Sequence, residues 1–353
     1  MRYLLAALLI VLTVCLFFLS FGALIETNIW WMRMTDFPRL QYAIALIVIL
    51  VLIAVSWPIG GRLRLTLAAL ALLALGYNAM KLFPYFAPSD TRELACSEGQ
   101  QFSVMVANVK KGNRKADALV RLVESRRPDI FLALETDEWW DSQLSGLKEQ
   151  MSHTEERITG GFFGMHLFSR LPLSETEVIF PVEQDAPAIL TTIELPSGGL
   201  FRFMGLHPRP PHPGQSSIGR DAQLMWAALR ARENDLPFVI GGDLNAVPWE
   251  ASIERLQRVG GFIDPREGYG YLATYDAQSR WMSWPLDQVL YQNELSLVSV
   301  EVLSDFGSDH LPIAVVLCNQ STSVNPPELR AGDIAKAEQD IDLALQMADE
   351  KSD

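Results

Sequence analysis

The chain has 353 residues, of which 49% are hydrophobic, and 29 Lys+Arg stand against 42 Asp+Glu for a formal net charge of −13. That balance argues against a general polyanion binder, which carries a basic surface. Three cysteines (Cys15, Cys96, Cys318) are too few for a zinc cluster or a disulfide scaffold, and a chain this long and apolar is not wholly disordered.

The apolar excess is concentrated at the N-terminus. Residues 1–89 hold six basic residues (Arg2, Arg33, Arg39, Arg62, Arg64, Lys81) and two acids (Glu26, Asp36). Residues 4–25 carry no charge; at ~1.5 Å per residue they make roughly 33 Å of helix, against about 30 Å of bilayer hydrocarbon. A cleaved leader has a shorter apolar core, and further runs follow this one. Residues 40–57 are interrupted only by Gln41 and Ser56, and residues 65–80 are rich in Ala and Leu. The three runs predict three transmembrane helices, with a buried or re-entrant helix as the alternative for the third. Trp30, Trp31, Trp57, Tyr77 and Tyr85 fall near the span ends, where amphipathic rings settle, and Arg62 and Arg64 can snorkel to the headgroups.

With three spans, Arg2, Arg62 and Arg64 share one side, and Arg33, Arg39 and Lys81 the other. The counts tie. The tight Gly60-Gly61-Arg62-Leu63-Arg64 turn is the denser cluster, so the N-terminus is placed inside and the remaining chain outside. The expectation is a multi-pass protein of the inner (cytoplasmic) membrane with its globular part on the outer (periplasmic) side.

Residues 90–320, with 20 basic and 32 acidic residues, read as one globular domain. Strands are predicted over 102–108, 129–134, 162–169, 188–195, 200–206, 237–240, 286–291 and 313–317, and helices over 117–127 and 221–232. Residues 321–353 form an acidic linker and a short amphipathic tail, with Ile334, Ala337, Ile341, Ala344, Leu345 and Ala348 at helical spacing. That tail is expected to be a solvated helix, packed loosely or not at all.

Polar residues recur where the apolar strands stop: Asn108, Glu135, His207, Asp243 with Asn245, Asp287, and Asp309 with His310. Each alone has an ordinary reading. Gly-Gly-Asp-x-Asn makes turns, Asn108 can cap a strand, and Glu135 can be a surface acid. Strand ends on one edge of a sheet converge, however, and clustered like charges need compensation. A hard divalent cation supplies it, and oxygen ligands suit Mg²⁺, Mn²⁺ or Ca²⁺ better than zinc.

In this order the set resembles the endonuclease/exonuclease/phosphatase superfamily of metal-dependent phosphoesterases, over most of residues 100–318. Met105-Val106-Ala107-Asn108-Val109 looks like the first-strand motif with its metal-binding Asn. Leu132-Ala133-Leu134-Glu135 looks like the motif of the metal-binding Glu. The stretch 164–172 resembles the strand ending in Ser-Arg-x-Pro. Gly242-Asp243-Leu244-Asn245 is similar to the Gly-Asp-x-Asn motif, residues 285–290 to the strand carrying the site Asp, and Ser308-Asp309-His310-Leu311-Pro312 to the Ser-Asp-His-x-Pro ending. Gln288 after Asp287, and the Pro-rich loop Pro208-Arg209-Pro210-Pro211-His212-Pro213 after His207, depart from the pattern.

The resemblance implies an α/β four-layer sandwich, two packed mixed β-sheets flanked by helices, preceded here by the bundle of transmembrane helices. It implies Mg²⁺ (or Mn²⁺) held by Glu135, Asn108 and Asp309. His310 would contact the phosphate or act as base, oriented by Asp287. Asp243 would orient the attacking water, Asn245 would donate to developing charge, and His207 would make a second phosphate contact. Arg209 and His212 would reach the substrate beyond the scissile group. First and last strands are neighbours in this fold, so a Cys96–Cys318 disulfide is expected outside the cytosol. His153 and His166 have no motif position and read as structural. Trp139, Trp140, Trp281 and Trp284 read first as core or rim packing, with Trp140 and Trp284 able to flank the cleft. The expected partners are the lipid bilayer and a phosphoester substrate: a lipid head group, a small phosphodiester or a nucleic acid. No protein partner is predictable. A surface-tethered nuclease and a catalytically idle scaffold remain the alternatives.

Overall fold

The computed structural model describes residues 2–55, 60–88 and 96–352. Ser56, Trp57 and the expected boundary at residues 89 and 90 lie outside them. Among the described residues four α-helices come first: α1 (Arg2–Gly22), the single turn α2 (Trp30–Arg33), α3 (Arg39–Val55) and α4 (Gly61–Phe86). By length and composition, Leu4–Gly22 and Gly61–Phe86 can each cross a membrane, and Trp30–Asp36 with Arg39–Val55, bent by 66°, makes a third span if taken as one unit. The third expected helix, over 65–80, is therefore too short. It continues to Phe86 because Leu82 and Tyr85 bury against Phe37, just before α3, and against Val247, Trp249 and Leu286 of the globular domain.

A buried polar cluster ties the helices together. Arg39 Nε donates to Asp36 at 2.8 Å and its Nη1 to Asn78 at 3.1 Å, while Asn78 Nδ2 donates to Ser20 Oγ at 2.8 Å. Ser20, Arg39 and Asn78 thus share one level. The end of α1, the start of α3 and the end of α4 face the globular domain, and the start of α1 lies with Arg62 and Arg64 at the opposite end.

Among the described residues the domain contains twelve strands. In chain order they are β1 (Gln101–Asn108), β2 (Ile130–Leu134), β3 (His153–Arg157), β4 (Met165–Ser169), β5 (Leu173–Ile179), β6 (Ala188–Glu194), β7 (Leu200–Leu206), β8 (Phe238–Asp243), β9 (Phe262–Ile263), β10 (Asp287–Gln292), β11 (Ser296–Val302) and β12 (Ile313–Cys318). One sheet has the order β11-β12-β1-β2-β4-β3 and the other β5-β6-β7-β8-β10-β9. Each holds one parallel pair, β1 with β2 and β7 with β8, among antiparallel neighbours. The five further helices are α5 (Ala116–Arg126), α6 (Glu138–Leu144), α7 (Ile218–Arg232), α8 (Ala251–Gly260) and α9 (Asp333–Ser352).

Alternation along the central strands builds the layers. Phe102, Val104 and Val106 of β1 meet Phe201 and Phe203 of β7 in the core between the sheets. Met105 and Ala107, pointing the other way, pack under Leu119 and Val123 of α5 and Trp140 of α6. Met204 and Leu206 of β7 pack under α7 and α8 through Leu224, Ala228, Ile253 and Leu256. The result is the expected four-layer sandwich.

The sequence pattern misses β3, β5, β9 and β11, the four sheet edges: β3, β5 and β11 because they are half solvated and carry charge (Glu155, Glu156 and Arg157 in β3), and the buried β9 because two residues are too few to show a period. The expected strand over 162–169 begins only at Met165. Gly164 ends the preceding loop because a Cβ there would lie 2.0 Å from the Thr136 carbonyl oxygen.

Two covalent or charged ties close the domain. Cys96 and Cys318 form a disulfide across the start of β1 and the end of β12, 222 residues apart in sequence. Replacing both by Ser is expected to cost roughly 2–5 kcal/mol, read as a lower unfolding midpoint of the detergent-solubilised chain. The tail differs from its expectation. Ala337 and Ala344 of α9 are buried against α7 and neighbouring residues, and Arg258 grips Asp333 in two bonds of 2.7 and 2.9 Å.

That hydrogen-bonded pair holds the Asp333 carboxyl down at about 2. An unfolded Asp titrates near ~3.9, so the stabilisation is complete above about pH 4 and is lost as pH falls through about 2. Asp333→Asn at pH 7 is expected to mimic that loss. Trypsin cleavage at Arg330 and Lys336 should rise about tenfold, the scale of a charge-assisted bond; an unchanged rate would refute the clamp.

Candidate active site

Strand register brings the polar residues together. Asn108, the last residue of β1, lies beside Leu134 of β2, so Glu135 follows at the same edge. Asp243 pairs directly with Asp287 between β8 and β10, and Leu206 pairs with Gly242, which sets His207 next to Asp243. Gly242 is required for that approach, since a Cβ there would lie 1.8 Å from the Leu206 carbonyl oxygen. β12 pairs with β1 immediately after the Asp309-His310 turn.

The two sheets meet at Asn108. Its Nδ2 donates to Glu135 Oε1 and to Asp243 Oδ2, each at 3.0 Å, and its Oδ1 accepts the Lys110 amide at 3.0 Å. Glu135 Oε2 accepts the Lys111 amide at 3.1 Å. Glu135 and Asn245 sit at φ of 60° and 50°, left-handed backbone that costs a non-glycine residue roughly 1–3 kcal/mol. Asp309 Oδ2 faces Lys110 Nζ at 2.9 Å, and the Ser308 hydroxyl donates to the Asn108 carbonyl at 2.8 Å, fixing the last motif to the first.

His310 Nδ1 lies 2.8 Å from Asp287 Oδ2, and its Nε2 is 3.6 Å from Asp243 Oδ2. Burial by itself lowers the histidine, but the Asp287 and Asp243 carboxylates and the Asp287 hydrogen bond outweigh it and push His310 up to about 10. Burial also raises Asp287, against the pull of His310. The proton of the pair belongs on the imidazole, because Asp243 and Asp309 face the ring as well. Thr274 Oγ1 accepts the Asp287 amide at 3.1 Å, and the Tyr275 ring lies 4.7 Å from the His310 ring.

His207 is buried, with Nε2 3.8 Å from Asp243 Oδ2, its ring 5.2 Å from Phe163, and Nδ1 without a hydrogen-bond partner among the described residues. Asn245 Nδ2 donates to the Pro208 carbonyl at 3.0 Å, tying the loop after His207 to the loop after Asp243; an amide nitrogen has a second proton left.

Arg209 is engaged by acids, its Nε 2.6 Å from Glu183, with Asp185 as second partner and the Phe163 ring 5.0 Å away. His212 is exposed, with Nδ1 2.9 Å from its neighbour's carbonyl at Pro213. Neither contacts the cluster among the described residues. His166 is buried on Thr136 and Asp141, Trp140 lies in the core, and Trp284 stacks on Tyr275 at the rim. Lys110, Thr274 and Tyr275 escape sequence reading. Lys110 is one exposed lysine among many, and the other two sit on an irregular loop with no periodic pattern.

The donors fit a hard cation. Two carboxylates from different sheets, Glu135 and Asp243, converge on Asn108 Nδ2, with His207 Nε2 3.8 Å from Asp243; oxygen donors of this kind are the ones a hard cation takes. Asp243, Asp287 and His310 also offer atoms within 4.8 Å of one another. There, however, the imidazole nitrogen facing Asp287 is already hydrogen-bonded to that carboxylate. Glu135, across Asn108 from Asp243, offers a further carboxylate at the same edge.

Residues 105–310 match the model of the Endonuclease/Exonuclease/phosphatase family. Among solved structures, zebrafish (D. rerio) TDP2 humanized by 14 mutations superposes with a TM-score of 0.53 at 17% identity, covering 62% of this chain and 99% of that one. D. rerio TDP2 complexed with single strand DNA product gives 0.53 at 18% identity over 62% and 98%. The human Nocturnin catalytic domain with bound sulfate gives 0.50 at 17% identity over 62% and 94%. No curated protein sequence matches. With more than half its length matched, its sheets in the same fold and the motif residues gathered at one edge, the chain belongs to the Endonuclease/Exonuclease/phosphatase family of hydrolases acting on phosphoester bonds.

Proposed function

We propose that the chain is a membrane-anchored, divalent-cation-dependent phosphoesterase whose catalytic domain faces the outer (periplasmic) side. The observation that carries the reading is Asn108 held 3.0 Å from both Glu135 and Asp243, next to the His310–Asp287 pair. Glu135, Asn108 and Asp309 would hold Mg²⁺ or Mn²⁺. When bound, such a cation neutralises phosphate oxygens and the leaving oxygen.

The chain's own groups do the rest. Asp243 accepts a proton from, and orients, the attacking water. Protonated His310, aimed by Asp287, donates from Nε2 to a phosphate oxygen. His207 makes the second phosphate contact, and Asn245 donates to the charge that builds up. Apolar α1, α3 and α4 anchor the domain. The denser Arg62–Arg64 cluster at the far end and the Cys96–Cys318 disulfide both favour a domain outside the cytosol.

The test uses the full chain in detergent with bis(4-nitrophenyl) phosphate. Turnover is expected with Mg²⁺ or Mn²⁺, a loss of about 100-fold or more in EDTA on the scale of metal catalysis, and recovery on re-addition. EDTA-insensitive turnover would sink the metal role, and no turnover of any phosphoester would favour the idle scaffold. A second reading, a tethered nuclease, draws on the DNA product bound to D. rerio TDP2. Plasmid nicking that disappears with His310→Ala would support it.

A further inference from the structure

We propose, resting on that phosphoesterase reading, that the loop 276–284 is a second membrane contact. Trp281 and Met282 enter the leaflet beside α3, and the His310 cleft draws its phosphoester from a lipid of the bilayer. The two side chains are 72% and 50% exposed and follow Arg280, also exposed. A projecting Trp–Met pair flanked by a cation has the composition of a membrane-interface contact.

The loop is preformed. Tyr275 N donates to the Trp284 carbonyl at 2.9 Å, and Met282 N to Ser279 Oγ at 2.9 Å.

Its position identifies the surface it meets. Gln41 Nε2, in the first turn of α3, donates to the Trp281 carbonyl. Gln41 heads a stripe of Ile44, Val48, Val51 and Val55, spaced three and four residues apart on one helix face. These four are 43%, 52%, 57% and 73% exposed. Trp281 and Met282 therefore continue the apolar surface that a bilayer around α3 would cover.

The base of the loop is the catalytic segment itself. Ala277 N donates to the Asp309 carbonyl and Leu311 N to the Thr274 carbonyl, each at 2.8 Å. Rings step from the N-terminal end of α3 to the site: Phe37 to Trp284 at 5.7 Å, Trp284 to Tyr275 at 6.3 Å, Tyr275 to His310 at 4.7 Å. A cleft so close to the leaflet meets lipid phosphoesters first. The acidic domain, with 20 basic and 32 acidic residues, disfavours a long polyanion.

The experiment uses the full chain in phosphatidylcholine/phosphatidylglycerol nanodiscs. Trp281→Cys in a Cys15→Ala background carries an environment-sensitive fluorophore. Blue-shifted emission quenched by brominated lipid is expected; water-like emission overturns the contact, as does a shift that appears only on adding single-stranded DNA or with a second copy of the chain. Separately, Trp281→Ser/Met282→Ser is expected to slow Mg²⁺-dependent release of phosphorylated head group from the disc lipids about tenfold or more. Hydrolysis of bis(4-nitrophenyl) phosphate should stay within about twofold. Equal loss of both rates, or lipid turnover that ignores the substitutions, overturns the proposal. Wild-type turnover of the soluble diester without any lipid turnover overturns the substrate assignment. Absence of both activities instead defeats the phosphoesterase reading, while the fluorophore still decides the membrane contact.

Discussion

His310→Ala is expected to lower turnover by about 10²–10⁴-fold, the span of a positioned acid or base. The ring is buried, its Nδ1 is held by Asp287 at 2.8 Å, and its Nε2 points past Asp243 at 3.6 Å. Alanine also strands the Asp287 carboxylate in the interior, and breaking one side of a buried pair costs roughly 3–5 kcal/mol. A fall in activity therefore needs a stability control. The double variant His310→Ala/Asp287→Asn removes the stranded charge and should recover much of the unfolding midpoint without recovering turnover. If activity returns with stability, His310 is a structural residue and the proposed chemistry lies elsewhere.

Glu250→Ala is expected to be the most destabilising single change outside the cleft, by roughly 3–5 kcal/mol. Glu250 is fully buried between two guanidinium groups: Arg220, also fully buried, and Arg33 of α2, 2.6 Å away. Asp221 completes the group at 2.9 Å from Arg33 and 2.8 Å from Arg220. Removing Glu250 leaves two cations facing a single carboxylate. Arg220 also donates to the Asn245 carbonyl at 2.8 Å, so the same change loosens the loop that follows Asp243. The expected readout is a lower unfolding midpoint together with reduced turnover. Arg33→Met combined with Glu250→Gln should cost less than the two single changes added, because the two residues share one network. Strict additivity would show that the N-terminal helices and the loop after Asp243 are uncoupled.

That coupling was invisible in the sequence, where Arg33 counts only as a flanking charge and Glu250 as one acid among 42 Asp+Glu. Asn108, Glu135 and Asp243 were legible because each stands where an apolar run ends. Asp287 and His310 instead stand where β10 and β12 begin, and they reach the same edge because those strands run antiparallel to β8 and β1. Central strands were legible because both their faces are buried, so their composition is nearly all apolar. The edges were not: β3, β5 and β11 because a half-solvated strand has a loop's composition, and β9 because it is only two residues long. Nor was the docking of α9. Its amphipathic spacing says that one face wants cover, but the cover comes from α7, more than a hundred residues earlier in the chain.

By itself, then, the sequence determined the local alphabet: which segments are apolar enough to span a bilayer or fill a sandwich, and which side chains with oxygen and imidazole donors punctuate them. These follow from composition and period, which act over a few residues. Only the tertiary structure decided that Lys110, Thr274 and Tyr275 attend the site, that Arg209 is taken up by Glu183 and Asp185, and that the loop carrying Trp281 lies at the head of α3. Such pairings join residues far apart in the chain, and their energies come from burial and charge shared across layers that no local pattern records.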